Sequence, residues 1–151
     1  MAGYSNNGSG TNTSAKTLVY VVNGSSTPRR LALYDTIWGA SGTPGDQAAE
    51  YQIKRITAEN MTPGGSALTP VAIDQAAPAA QSNGVLSCTG EPTYASAILL
   101  DLGLNQRSPF RWVLHPGREC VVSASNDAGW GLFVNAVTST WSASFTMIYE
   151  E

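Results

Sequence analysis

The run Trp141–Tyr149 (WSASFTMIY) constrains the fold more than any other stretch of the chain. Trp141, Ala143, Phe145, Met147 and Tyr149 fall on one side of an extended backbone, and Ser142, Ser144 and Thr146 on the other. A strict period of two is the mark of a half-buried antiparallel strand. The sequence before it continues the theme. From Phe110 onward, FRWVLH, ECVVSAS, WGLFVNAV and WSASFTMIY are separated by PG, NDAG and TST, so the last third reads as a four-stranded meander.

Strand patterns also fill the first two thirds. TLVYVVN (Thr17–Asn23) is apolar on both faces, which predicts cover on both sides. RLALYDTIW (Arg30–Trp38) sets Leu31, Leu33 and Asp35 on one face. Glu50–Thr57 alternates Tyr51, Ile53 and Arg55 against Gln52, Lys54 and Ile56. Val71–Ile73 and Val85–Thr89 are short strands, and Ala97–Leu104 (AILLDLGL) is a strongly apolar one. Gly39–Asp46 and Met61–Pro70 are loops. Only Asp74–Asn83 has helical composition, and Pro78 limits it to a turn or two. The expected architecture is all-β: an antiparallel, jelly-roll-like β-sandwich of eight to nine strands with almost no helix.

The 151 residues suit one domain with a sizeable core. Charged residues make up 13% of the chain, about half of the roughly 25% usual in soluble proteins. Ser, Thr, Asn, Gly and Ala replace them, which favours contacts made by shape and backbone hydrogen bonds. The net charge is −3 and the eight basic residues are scattered. Arg29-Arg30, beside Pro28, is the one adjacent pair and reads as a solvated strand start. This pattern argues against nucleic acid as a partner. The chain has no apolar run of the roughly 18 residues a membrane helix needs, and its start lacks a basic-then-apolar leader.

Catalytic signals are sparse. His115 is the single histidine and ends a strand before Pro116-Gly117, so it reads as structural or exposed. Asp101 interrupts an apolar strand, where a wet strand face or an interface hydrogen bond is its expected role. Gly8-Ser9-Gly10 and Gly129-Trp130-Gly131 do not precede helices and match no nucleotide loop. Cys88 and Cys120 each sit in an apolar pattern. Free buried thiols are the default in a reducing compartment, with a single disulfide between neighbouring strands as the alternative. No CxxC pair accompanies the single histidine, so no metal site is expected, and with catalytic groups this sparse neither a cofactor nor an enzyme is expected.

Residues 1–16 read as an extended polar N-terminal arm and 17–151 as the sandwich domain. Met1–Ser14 (MAGYSNNGSGTNTS) offers little besides Tyr4 to bury, so alone it should be disordered. Its own domain, a sister subunit or a larger assembly would have to hold it. Candidate partner contacts are Tyr4, Asn6 and Asn7 of this arm, with Trp38 and Trp130, which stand beside glycines at strand ends. Trp112 and Trp141 are expected in the core.

The strands TLVYVVN, RRLALYDTIWG and EYQIKRIT, the stretch EPTY…AILLDLGLNQRSPFRWVLHPGRECVV and the alternating last strand ending in Glu form a recognisable layout. From Thr17 to Glu151 it resembles the small jelly-roll virion proteins of tailed bacteriophages, of the head-decoration or cement type. The resemblance implies a non-enzymatic homo-oligomer, a trimer above all. Such a protein is made in the host cytoplasm, seated on the major capsid protein at the virion surface, and fastened by a terminal arm. The alternative is a receptor- or carbohydrate-binding module such as a tail-fibre tip, with Trp38 or Trp130 in its site.

Overall fold

The computed structural model describes residues 1–12, 14–24, 26–59, 65–88, 90–136 and 140–151. They form twelve strands. The first four are β1 (Gly3–Asn12), β2 (Lys16–Asn23), β3 (Leu31–Ala40) and β4 (Ala48–Ala58). Next come β5 (Ser66–Leu68), β6 (Val71–Ala72), β7 (Ser82–Leu86) and β8 (Thr93–Asn105). The last four are β9 (Phe110–Val113), β10 (Cys120–Val122), β11 (Gly129–Ala136) and β12 (Trp141–Glu150). Ten of the twelve fall on strand patterns read from the sequence; β1 and the three-residue β5 do not. Asp74–Asn83 forms turns and the start of β7, with no helical turn. Thr89 and part of the Met61–Pro70 loop lie outside the described residues, as does the side chain of Trp141.

The strands make two antiparallel sheets packed face to face, a β-sandwich. Sheet A runs β6-β1-β12-β3, with β9 and β10 both on the far edge of β3. Sheet B runs β5-β7-β2-β11-β4-β8. Among the described residues, the last four strands never pair with one another. β9 and β10 lie end to end along β3, β11 crosses to sheet B between β2 and β4, and β12 returns to sheet A between β1 and β3. The meander is therefore corrected. PG, NDAG and TST mark where strands stop, and turn residues carry no information about which edge the next strand joins.

The pairing is nested. β1 pairs with β12, β2 with β11, β3 with β9 and β10, and β4 with β8. The chain is thus a long ribbon of two arms, rolled so that β12 also meets β3 and β11 also meets β4. Within the link from β4 to β8, β6 adds to β1, and β7 and β5 extend sheet B beyond β2.

The separate arm is corrected too. Gly3–Asn12 is a full strand of sheet A, in register with β12 along its whole length, from Gly3 opposite Glu150 to Asn12 opposite Trp141. The domain boundary near residue 16 disappears with it. The composition that resembles a linker is a packing requirement. Tyr4, Asn6, Gly8 and Gly10 face inward, while Ser5, Asn7, Ser9 and Thr11 face outward. A Cβ on Gly8 would sit 3.2 Å from Phe145 and one on Gly10 3.2 Å from Leu86, so only glycine lets the β5–β7 end of sheet B approach this closely.

Between the sheets lie Leu18, Val19 and Val21 of β2, Leu31, Leu33 and Trp38 of β3, and Tyr51 and Ile53 of β4. Trp130, Leu132 and Val134 of β11 and Ala143, Phe145, Met147 and Tyr149 of β12 complete the core. The alternation of the last strand is thus used as expected. The double cover expected for β2 is also present. On the outer face of sheet B, Tyr20 and Val22 join Ile56 and Cys88 in a second cluster, with Val85 and Tyr94 against it. The chain before β8 is held there by the Glu91 carboxylate, which accepts the Thr17 amide at 3.0 Å and the Thr17 hydroxyl.

Candidate functional site

The outward row of β1 and that of β12 stand side by side. The register opposes Ser5 to Ile148, Asn7 to Thr146, Ser9 to Ser144 and Thr11 to Ser142. All are short or half-buried side chains, and the Thr11 and Ser142 hydroxyls hydrogen-bond at 2.9 Å. The row continues across β3 and β9, where Thr146 opposes Ile37, Ile37 opposes Arg111 and Asp35 opposes Val113. At the other side β6 contributes Val71, opposite Ser5. The outer face of sheet A is therefore a broad plane of hydroxyl and amide groups with apolar ends.

Those ends are unusual. Six large hydrophobic side chains are exposed among the described residues. Ile37, Val71 and Val113 lie on this face, and Ile73 joins them by packing over Gly3. Val71, Ile73 and Val113 are each about 60% exposed, which is a cost without a partner and marks a candidate contact surface. Between Ile37 and Val113, Arg111 grips Asp35 through Nε at 3.0 Å and Nη2 at 2.6 Å. Asp35 is buried and Arg111 exposed, so the pair presents a fixed guanidinium at the apolar end. Asp35 holds the Arg111 guanidinium above its ordinary pKa by hydrogen bond and charge. Nearby, Tyr34 donates to Glu150 at 2.9 Å, and that bond raises the phenol.

The sequence-derived contacts fare unevenly. Asn7 is exposed on this face. Tyr4 and Asn6 are corrected: they are 0% and 1% exposed, Tyr4 donating to the Pro78 carbonyl at 3.0 Å and Asn6 lying against Gly84. Trp38 and Trp130 are corrected as well, at 1% and 0% exposure. Trp38 packs 4.9 Å from Phe110 and 5.5 Å from Tyr51, and Trp130 6.3 Å from Tyr149, in ring-centroid distance. Their glycine neighbours are sites of close approach. Side chains at Gly129 and Gly131 would meet the Val21 carbonyl and the Tyr94 ring, so these glycines bring strands together and expose no indole. The sugar platform suggested for the two tryptophans is lost with their exposure.

His115 is exposed in the Leu114–Glu119 loop that separates β9 from β10. Asp101 is exposed on β8 and accepts from Gln52 at 3.3 Å, the wet strand face expected of it. Cys88 and Cys120 are free thiols, one in the outer cluster of sheet B and the other on β10 of sheet A. Burial pushes the Cys88 thiol up to about 12.

Residue-by-residue reading missed Ile37, Val71, Ile73, Val113 and the Asp35–Arg111 pair. Each is unremarkable in its own strand, and the face exists only through the order β6-β1-β12-β3-β9. One available signal was the spacing of Ser5, Asn7, Ser9 and Thr11, which has the same period of two as the last strand. Comparison with protein-family models, curated proteins and solved structures finds no match to this chain.

Proposed function

We propose that this chain is a structural subunit of a virion shell, non-enzymatic, docking on the major capsid protein at the particle surface through the outer face of sheet A. The observation that carries the reading is that face: several strands wide, dominated by short hydroxyl and amide side chains, with exposed aliphatic residues at both ends. Such a plane can bury much surface without paying for the ordering of long side chains. Binding to many identical sites on a shell then turns a modest contact into firm decoration.

The nested ribbon supports the finer fold reading. Layers ordered β1-β12-β3-β9/β10 and β2-β11-β4-β8 are what a jelly roll requires, with β5, β6 and β7 as additions in one connection. Viral coats and lectins both use that architecture, so it adds support by analogy and the docking face carries the argument. Attachment by a free N-terminal arm is replaced by attachment through the sheet of which β1 is part.

The test is direct. Virions banded from the source culture should contain this chain in fixed ratio to the main shell protein, and image reconstruction should place sheet A against the shell. Asn7→Arg and Ser144→Arg, both on exposed positions, should leave the melting temperature unchanged and abolish rebinding to stripped particles. Absence of the chain from purified virions, or undiminished rebinding by both variants, overturns the proposal.

A further inference from the structure

The four sheet edges are unequal. A free edge offers unpaired backbone groups to any other strand, and proteins blunt it by shortness, interruption, charge or bulges. Sheet A ends on β6, two residues long, and on β9 and β10, interrupted by the Leu114–Glu119 loop. Sheet B ends on β5, three residues long, and on β8, the longest strand among the described residues. Among the described residues two long edges remain, β8 and the part of β1 from Asn6 to Asn12, which pairs with β12 alone; of the two, only β8 carries aliphatic side chains along its length.

Its two halves differ. Toward Thr93 the pairing with β4 is broken by register shifts opposite Ile53–Ala58, which twist that half. From Leu100 to Asn105 the register is unbroken. That half has no lysine, no proline and no bulge. Leu100, Leu102 and Leu104 lean on the core and remain half-buried, and Ile98 is 43% exposed. On the opposite side stand Asp101, exposed, and Gly103, with nothing within 4 Å of where its Cβ would be.

We infer that β8 pairs antiparallel with β8 of a second copy of this chain, about a twofold axis at Leu102, joining two copies of sheet B into one continuous sheet. The occupant follows from self-complementarity. In this register Leu102 meets Leu102, and Leu100 meets Leu104 twice, so the aliphatic row continues across the axis. On the outer side each Asp101 meets the empty place of a Gly103. A twofold axis at Asp101 would oppose the two carboxylates directly, which is unfavourable. The pairing is closed by its own symmetry. It concerns the edge of sheet B, goes beyond the docking face of sheet A, and stands or falls apart from it.

Sedimentation of the full chain across micromolar concentrations tests the pairing. The wild type should show a monomer–dimer equilibrium. Position 103 faces open space, so substitutions there report on the interface, with melting curves as the control for contact with Glu50 on the neighbouring β4. Gly103→Asp places a carboxylate against each Asp101 of the other copy and should weaken the dimer about tenfold, through two like-charge contacts at once. Gly103→Lys should strengthen it severalfold at low salt, and the double variant D101K/G103D should restore what Gly103→Asp loses. A chain that stays monomeric, the trimer implied by the family resemblance, or a dimer indifferent to the charge at position 103 overturns the inference.

Discussion

Tyr4→Ala separates a core strand from a tethered arm. Tyr4 is fully buried, its ring 6.0 Å from Tyr149 and its hydroxyl 3.0 Å from the Pro78 carbonyl. Truncating a large buried aromatic to alanine costs about 3–5 kcal/mol. The Pro78 carbonyl adds little, because Pro78 is exposed and water replaces the phenol. At about 2–4 °C per kcal/mol for a chain of this size, the melting temperature should fall by about 6–20 °C. Asn7→Ala, three residues along the same strand and exposed, should change stability by no more than about 0.5 kcal/mol. Thermal unfolding followed by circular dichroism, with urea titration to check for a constant slope, measures both. Deleting Met1–Ser14 should abolish the cooperative transition, because β12 then loses one of its two partners along its whole length, from Trp141 to Glu150. A Tyr4→Ala protein as stable as Asn7→Ala, or a truncated protein that still melts cooperatively, would refute the placement of β1 in the core.

Further expectations concern the interior. Gly129→Ala would put a methyl group on the Val21 carbonyl, a backbone atom that cannot swing away, and should cost about 1–3 kcal/mol or more in urea denaturation; a neutral result would count against the β2–β11 contact. Cys88 should resist a thiol reagent at pH 8 in the native protein and react once it is unfolded. Its folded pKa, about 12, lies above the ordinary 9.0, so the unfolded chain releases this proton first as pH rises. The stability tied to the neutral thiol is complete below pH 9.0 and is lost as pH climbs toward 12. The urea midpoint should therefore fall above pH 9.0, less steeply in Cys88→Ala; equal slopes would refute the assignment.

What the sequence discloses depends on where the information sits. β12 and β2 are legible because burial acts on side chains, and side chains are what a sequence states: Phe145, Met147 and Tyr149 inside, Leu18 to Val22 covered on both faces. β1 is hidden because its inward places are filled by Asn6, Gly8 and Gly10, small residues chosen for close approach, and these resemble a flexible linker. Trp38 and Trp130 mislead for a related reason, since glycine beside a large ring marks a tight fit as readily as a turn. Strand order is hidden altogether. Backbone hydrogen bonds join β12 to β1 and β3 without calling for any particular side chain, so the outer face of sheet A, which is a product of that order, stays out of reach until the sheets are assembled.

The nesting of the ribbon has a consequence for synthesis. No two of β1, β2, β3 and β4 pair with each other; every sheet partner of these four strands comes later in the chain. A ribosome that has released Ala58 has therefore exposed four strands, Leu18 to Val22 among them, with nothing to close on. Contacts between distant residues make folding slow and leave such strands open to capture by other chains. Sheet A gains its centre only when β12 slides between β1 and β3. For this molecule, the dangerous interval for aggregation is the time taken to translate the returning arm.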